Sequence, residues 1–359
     1  MKLIQVKLRG TGPLIKSSWI QLSGHLNQFH FPLPQNGTAL LRALQTLHPP
    51  FSCKKNDPFA GLPRYEKRGP HLRHIQAAKR TIALGVFGTT AELVTELGLL
   101  DDNLYETDRI EIGRRLDYSR WLNFVELSSS TRWKEIEADV VQLLLPLQQI
   151  DSKRYNDAIS ITKSLKGSDR VKDDLAERLH FFLQNLEDQE ENKVLLEETV
   201  ALIDRATHFQ TAREIVLKRL PLLIYFNSQG DIAPPVSMEH QPHTYQNQEL
   251  FQYSKQRGVN FSPHKNPSVN HNLTVLEKLG SGIRFSLLLS NELGRMDPIF
   301  LFDAPEINIP PDNHAELRQL IHETAQSQQC VYLSGSKDFF HPADVGKNYR
   351  STQLEITRN

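Results

Sequence analysis

The stretch PIFLFDAPE, residues 298–306, decides how this chain is read. Ile299, Phe300, Leu301 and Phe302 run unbroken into Asp303, and Pro305 with Glu306 closes the turn. A short, continuously apolar run is the pattern of a strand buried on both faces, as in a parallel sheet. A carboxylate at the end of such a strand suits a sheet whose C-terminal edge faces a phosphate-bound magnesium.

The flanking segments support that strand. Residues 273–293 and 313–327 have helical spacing, 330–334 reads as a strand, and 353–357 as a last edge strand. Helix, strand, helix, strand in succession implies a mainly parallel sheet. At the other end, residues 2–9 alternate apolar and polar, and 19–22 and 27–31 read as further strands. PLPQNG (32–37) reads as a tight loop before a helix over 38–47, where Leu40, Leu41, Leu44 and Leu47 share one face. A strand over 82–87, a helix over 90–97, paired strands over 108–115 and 121–127, and a helix over 133–147 follow.

From about 151 to 220 the chain has few glycines and prolines and many charges. Leu175, Leu179, Phe182 and Leu186 recur at helical spacing, as do Leu195 or Leu196, Val200 and Ile203. EDQEEN (187–192) between them is a plausible tip, which gives an antiparallel helical pair inserted into an α/β body. Two ordinary helices of one domain would read the same way. The expected organisation is residues 1–150, a helical insert over 151–214, and a second half over 215–359. PLLIYF (221–226) is a short buried strand, and 230–272 is a long polar loop.

At 359 residues the chain has ample core for one large or two modest domains. Lys and Arg number 42 against 42 Asp and Glu, so no global field draws it to nucleic acid or membrane, and any basic surface is local. Cys53 and Cys330 stand far apart, as in a reduced, cytoplasmic protein. No apolar run approaches the ~20 residues of a membrane helix, and MKLIQVKLRG lacks the apolar core of a signal peptide.

The order of these segments resembles the nucleotide-binding head of the SMC, RecF and OLD-type ATPases of the ABC superfamily, over roughly residues 1–50 and 215–359. The resemblance implies an α/β, ABC-type P-loop head with a mixed sheet and an inserted antiparallel helical hairpin. On the family's phosphate loop, GxxxxGK[ST], Asn36 falls on the last glycine, Gly37 on the lysine, and Thr38 on the magnesium-binding hydroxyl. Pro32 and Pro34 fall inside the loop and donate no N–H. LEKLGSGIR (276–284) resembles the family's signature, with Gly280, Ser281 and Gly282 facing a partner's nucleotide; the alternative is a helix cap at Ser281. Asp303 keeps the magnesium-ligand position. Ala304 replaces the general base, and Gly335 the switch histidine. A head lacking the lysine, the glutamate and the histidine together implies a degenerate ATPase with no catalytic residue of its own. It would complete or scaffold a partner's site, with ATP and magnesium at most at that interface. The partner would be a second copy or another protein, in a complex acting on DNA in repair, chromosome handling or defence against phage. The rivals are an active ATPase, with Lys16 or another base reaching the phosphates, and a nucleotide-independent scaffold.

The stretch over 54–80 is basic, with Lys54, Lys55, Arg64, Lys67, Arg68, Arg73, Lys79 and Arg80 around Phe59 and Tyr65. Cations with interleaved rings fit a nucleic-acid groove, and equally a solvated loop. His240, His243, His264 and His271 share the polar loop without a cysteine, which favours solvation over zinc. No nuclease carboxylate pair stands near RYEKR (64–68), and no appended catalytic domain is expected after the last strand.

Overall fold

The computed structural model describes residues 1–11, 14–30, 34–50, 77–100, 107–115, 117, 119–126, 131–184, 186, 192–232, 273–336, 339–340 and 349–353. Most of the basic stretch, most of the polar loop over 230–272 with its four histidines, residues 187–191 of the tip expected over 187–192 and the expected strand beyond 353 lie outside them. In chain order the first elements are β1 (Lys2–Thr11), β2 (Leu14–Lys16), β3 (Ile20–Gln21), β4 (Leu26–His30), α1 (Pro34–Gln45), β5 (Thr81–Gly88), α2 (Ala91–Gly98), β6 (Arg109–Arg115) and β7 (Arg120–Phe124). Helices α3 (Trp133–Leu144), α4 (Leu147–Ile150), α5 (Ser152–Ser164), α6 (Asp173–Leu183) and α7 (Lys193–Arg219) follow. The chain then gives β8 (Leu223–Phe226), α8 (Val275–Glu292), β9 (Ile299–Asp303), α9 (His314–Ser327), β10 (Gln329–Ser334) and β11 (Tyr349–Gln353).

These elements form two compact units. The first comprises Met1–Thr90, Asp108–Leu122 and Lys218–Asn359; the second comprises Ala91–Thr107 and Asn123–Leu217. The helical unit therefore starts well before the boundary expected at 151. The reason is the apolar face of α3. Trp133, Ile136, Val140 and Leu143 are buried together with Ala158 of α5, Leu179 and Phe182 of α6, and Ile203 of α7. A single inserted hairpin is too small a description of this core.

The first unit holds two sheets where one mixed sheet was expected. Five parallel strands run in the order β11-β4-β10-β9-β8. The second sheet follows β2-β1-β5-β6-β7, with β3 also on β1, and its β1–β2, β1–β3, β1–β5 and β5–β6 pairs are antiparallel. Sequence pattern marks part of the division. The apolar runs of β8, β9 and β10 lie side by side in the parallel sheet, while the alternating β1 pairs antiparallel; β4 and β11 join the parallel sheet despite their polar residues. Phe226, Phe300, Phe302 and Tyr332 pack on one face of the parallel sheet against Leu279, Ile283 and Leu289 of α8 and Leu317 and Ile321 of α9. The alternate residues face α1. That helix touches strands of both sheets, and Leu40, Leu41, Ala43 and Leu44 are all buried.

One buried glutamine ties the sheets together. The side chain of Gln329, at the start of β10, accepts from the Leu3 amide at 2.8 Å and donates to the Leu3 carbonyl at 2.7 Å. It also donates to the Ser23 carbonyl at 2.6 Å. The β1–β5 register shifts between Leu3 and Gln5, so Gln329 satisfies backbone groups beside an irregular pairing.

Candidate functional site

The C-terminal edge of a parallel sheet is where α/β proteins bind ligands, because strand ends and helix N-termini converge there. Here α1 follows β4 in the chain. The helix begins at Pro34, inside the stretch expected as a tight loop over 32–37. Proline suits a first helical position, because the N–H it lacks would have no partner there. Asn36, Gly37 and Thr38 thus lie within α1 and not in a wrapping loop.

Period-2 alternation turns Leu301 and Asp303 of β9 toward α1, away from Phe300 and Phe302. Asp303 is 7% exposed. Thr38 Oγ1 donates to Asp303 Oδ1 at 3.0 Å, and the Tyr225 hydroxyl of β8 donates to Oδ2 at 2.5 Å. The structure therefore brings together Thr38 and Asp303, from opposite ends of the chain. Arg42, one turn below Thr38, holds its guanidinium 5.9 Å from the Tyr225 ring centroid. Burial raises the Asp303 carboxyl above its ordinary range, against the hydrogen bonds of Tyr225 and Thr38 and the charge of Arg42. Burial and the neighbouring carboxylate likewise push the Tyr225 phenol up.

At Gly37 the space for a side chain is taken. A Cβ there would lie 2.3 Å from Leu333 Cδ1 of β10, so the position expected to align with the family's lysine is filled by a leucine from the sheet.

Ala304 is buried in the left-handed region, at φ 47° and ψ 50°, and its amide donates to the Leu333 carbonyl at 3.0 Å. This turn carries the chain to Glu306, which is 8% exposed. Its Oε2 accepts from the Tyr332 hydroxyl at 2.6 Å; its Oε1 accepts from Ser334 Oγ at 3.0 Å and the Gly335 amide at 2.8 Å. Gly335, expected at the switch-histidine position, thus caps a carboxylate. Glu306 is the site residue that sequence reasoning missed. Its signal was an acid after Asp-Ala-Pro, with the hydroxyls of Tyr332 and Ser334 two residues apart on the next strand.

The expectation of a helix start beside Ser281 is corrected. Helix α8 begins at Val275, capped by Thr274: the Glu277 amide donates to Thr274 Oγ1 at 3.3 Å, and the Thr274 amide to Glu277 Oε2 at 2.7 Å. Gly280, Ser281 and Gly282 are interior helical residues whose amides belong to the helical ladder. Gly282 is there for packing, since a Cβ would lie 2.5 Å from Phe226 Cε1.

Of the basic residues, Lys79 is exposed and ends a short 3₁₀ turn, and Arg80 follows it half-buried. Lys54, Lys55, Arg64, Lys67, Arg68 and Arg73 lie outside the described residues, as does Cys53. Lys16 lies in β2. Cys330 is buried. Among the described residues no three His, Cys, Asp or Glu side chains form a metal-binding group, and no helix is long and apolar enough to cross a membrane.

No protein-family model and no curated protein matches the chain. Among solved structures, it is similar to the Smc head domain of Pyrococcus furiosus with an extended coiled coil, bound to the C-terminal domain of ScpA. Identity is 12%, with 99% of this chain and 94% of that one covered and a TM-score of 0.36. The SMC head domain from Thermotoga maritima gives 13% identity, coverage of 94% and 90%, and a TM-score of 0.33. The recombination mediator RecF with ATP gives 13%, 94% and 92%, and 0.34.

Proposed function

We propose that this chain is an ABC-type ATPase head that has lost γ-phosphate cleavage and acts as a non-hydrolysing subunit, beside a protein partner, in a complex directed at DNA. The observation that carries the reading is the pairing of a retained contact with a filled slot. Thr38 and Asp303 sit 3.0 Å apart, as a hydroxyl and a carboxylate sharing a magnesium ion would. One helical residue before Thr38, Leu333 fills the place a phosphate-gripping lysine would need.

The residues present do not fit a magnesium–triphosphate pair. Both Asp303 oxygens already accept hydrogen bonds, Glu306 accepts from three donors, and Gly37 and Thr38 are helical residues and not part of a wrapping loop. No hydrolytic step is therefore assigned to this chain. Asn36, Gly37, Thr38 and Asp303 form the vestige of a nucleotide site, while Ser281, between Gly280 and Gly282, is the residue offered to a partner's nucleotide.

Magnesium-dependent ATP turnover by the purified full chain tests this. The expected result is no turnover above background. Hydrolysis that disappears in Asp303→Asn would establish the active-ATPase rival. If a partner ATPase is reconstituted with the chain, Ser281→Arg is expected to abolish its turnover; unchanged turnover would leave a scaffold role.

A further inference from the structure

The outward face of the antiparallel sheet carries an aromatic and cationic row that the nucleotide reading does not use. Val6 and Leu8 of β1 are fully buried, so Lys7 between them points outward. Lys7 Nζ lies 5.4 Å from the Trp19 ring centroid. Trp19, just before β3, is 38% exposed. The register continues the row: Lys7 pairs with Leu84 of β5, and Leu84 with Gly113 of β6. On Gly113 lies Trp121 of β7, at 2.2 Å from where a Cβ would stand. Trp121 Nε1 donates to Thr81 Oγ1 at 2.9 Å, which fixes the indole on the sheet. Trp19, Leu84 and Trp121 thus line one stripe across β3, β1, β5 and β6, roughly 14 Å long at ~4.8 Å per strand.

Cations border this stripe. Lys7 lies within it, Arg115 pairs in register with Thr81, and exposed Lys79 precedes Thr81 by two residues. Glu111, opposite Val86, sets the sign of the other border. A flat row of indoles with a lysine inside it and an arginine at its edge matches the needs of an unpaired nucleic-acid strand. Its bases have π-faces to stack on rings, and its phosphates seek cations; a duplex keeps its bases stacked internally. An acidic peptide would use the cations but leave two indoles without a matching group.

We propose that this face binds single-stranded nucleic acid, with bases stacking on Trp19 and Trp121 and phosphates along Lys7 and Arg115. The proposal names the nucleic-acid class for the DNA-directed part of the reading above and rests on that part alone. It needs neither nucleotide nor partner.

The test is titration of the full chain with an oligothymidylate, followed by tryptophan emission without ATP. The chain has three tryptophans, and Trp133 is fully buried in the helical unit, so quenching reports on Trp19 and Trp121. The expected result is quenching that weakens steeply with salt. Trp19→Ala should weaken binding about tenfold, as loss of one stacking partner does, and Trp19→Phe should retain most of it. If Trp19→Ala melts early, Lys7→Glu carries the decision and should weaken binding and flatten the salt dependence. No quenching at low salt would overturn the proposal, as would unchanged affinity in these variants or equal affinity for duplex. None of those results bears on ATP turnover, so the two readings fail separately.

Discussion

The two sheets of the first unit treat their polar groups in opposite ways. At the C-terminal edge of the parallel sheet the oxygens of Asp303 and Glu306 all accept hydrogen bonds: Asp303 from Thr38 and Tyr225, Glu306 from Tyr332, Ser334 and Gly335. On the antiparallel sheet, Lys7, Trp19 and Trp121 face outward, and Trp19 is substantially exposed. Burial explains the difference. A sheet covered on both faces tolerates polar groups only when they are satisfied, while an open face has no such constraint. The two carboxylates at the parallel sheet's edge are thus held from within, and the exposed aromatic and cationic groups lie on the other sheet.

The sharpest way to break this comparison is Gly37→Lys. The new side chain would collide with Leu333 and carry a charge into a packed interface. Overpacking alone costs about 1–3 kcal/mol, and the buried ammonium adds to that. Denaturant melts are expected to show a loss above ~3 kcal/mol or no folded protein. A native-like Gly37→Lys would mean that the slot is open.

Next in size is Tyr225→Phe, which strips one donor from a buried carboxylate. The expected loss is ~1–3 kcal/mol. Asp303→Asn in the same background should recover part of it, because the unmatched charge goes; no coupling between the two sites would refute a matched network. Gly113→Ala pushes Trp121 off the other sheet. Because that ring can move outward only by giving up its hydrogen bond to Thr81 Oγ1, the cost should fall at about 1–2 kcal/mol. Red-shifted tryptophan emission would accompany it. A penalty equal to that of Gly37→Lys would erase the contrast between the sheets.

The smallest effect concerns pH. Asp303 is raised above the unfolded value of 3.8, mainly by burial. Such a group favours folding most below the unfolded value, and its contribution is lost as pH rises through the native one. The melting-temperature advantage of wild type over Asp303→Asn should therefore shrink as pH climbs above 3.8. An advantage that grows with pH would show the carboxylate to be stabilised in its charged form.

Much of the frame was legible because burial writes itself into short apolar runs. PIFLFD, PLLIYF and CVYLS became β9, β8 and β10, and the helices over 273–293 and 313–327 match α8 and α9 within a few residues. The errors occurred where local and tertiary signals compete. PLPQNG reads as a loop by its turn residues, yet proline is welcome at a helix start and Gly37 is required by Leu333. Ser281 resembles a cap, but Thr274 and Glu277, seven and four residues earlier, form the actual capping box. The Asp303–Thr38 contact was reachable only through the resemblance, since no local pattern links residues 265 positions apart. Glu306 escaped because its partners, Tyr332, Ser334 and Gly335, come from the following strand and turn. The outward stripe escaped because its members come from separate segments and meet only through strand register.

In the proposed function, packing takes the place of phosphate recognition at the β4–α1 edge. Thermal melting of the full chain with millimolar ATP and magnesium measures it most directly, because a ligand that binds the native state raises the melting point by mass action. Identical melting curves with and without the nucleotide are expected. A rise of several degrees that vanishes in Asp303→Asn would contradict it.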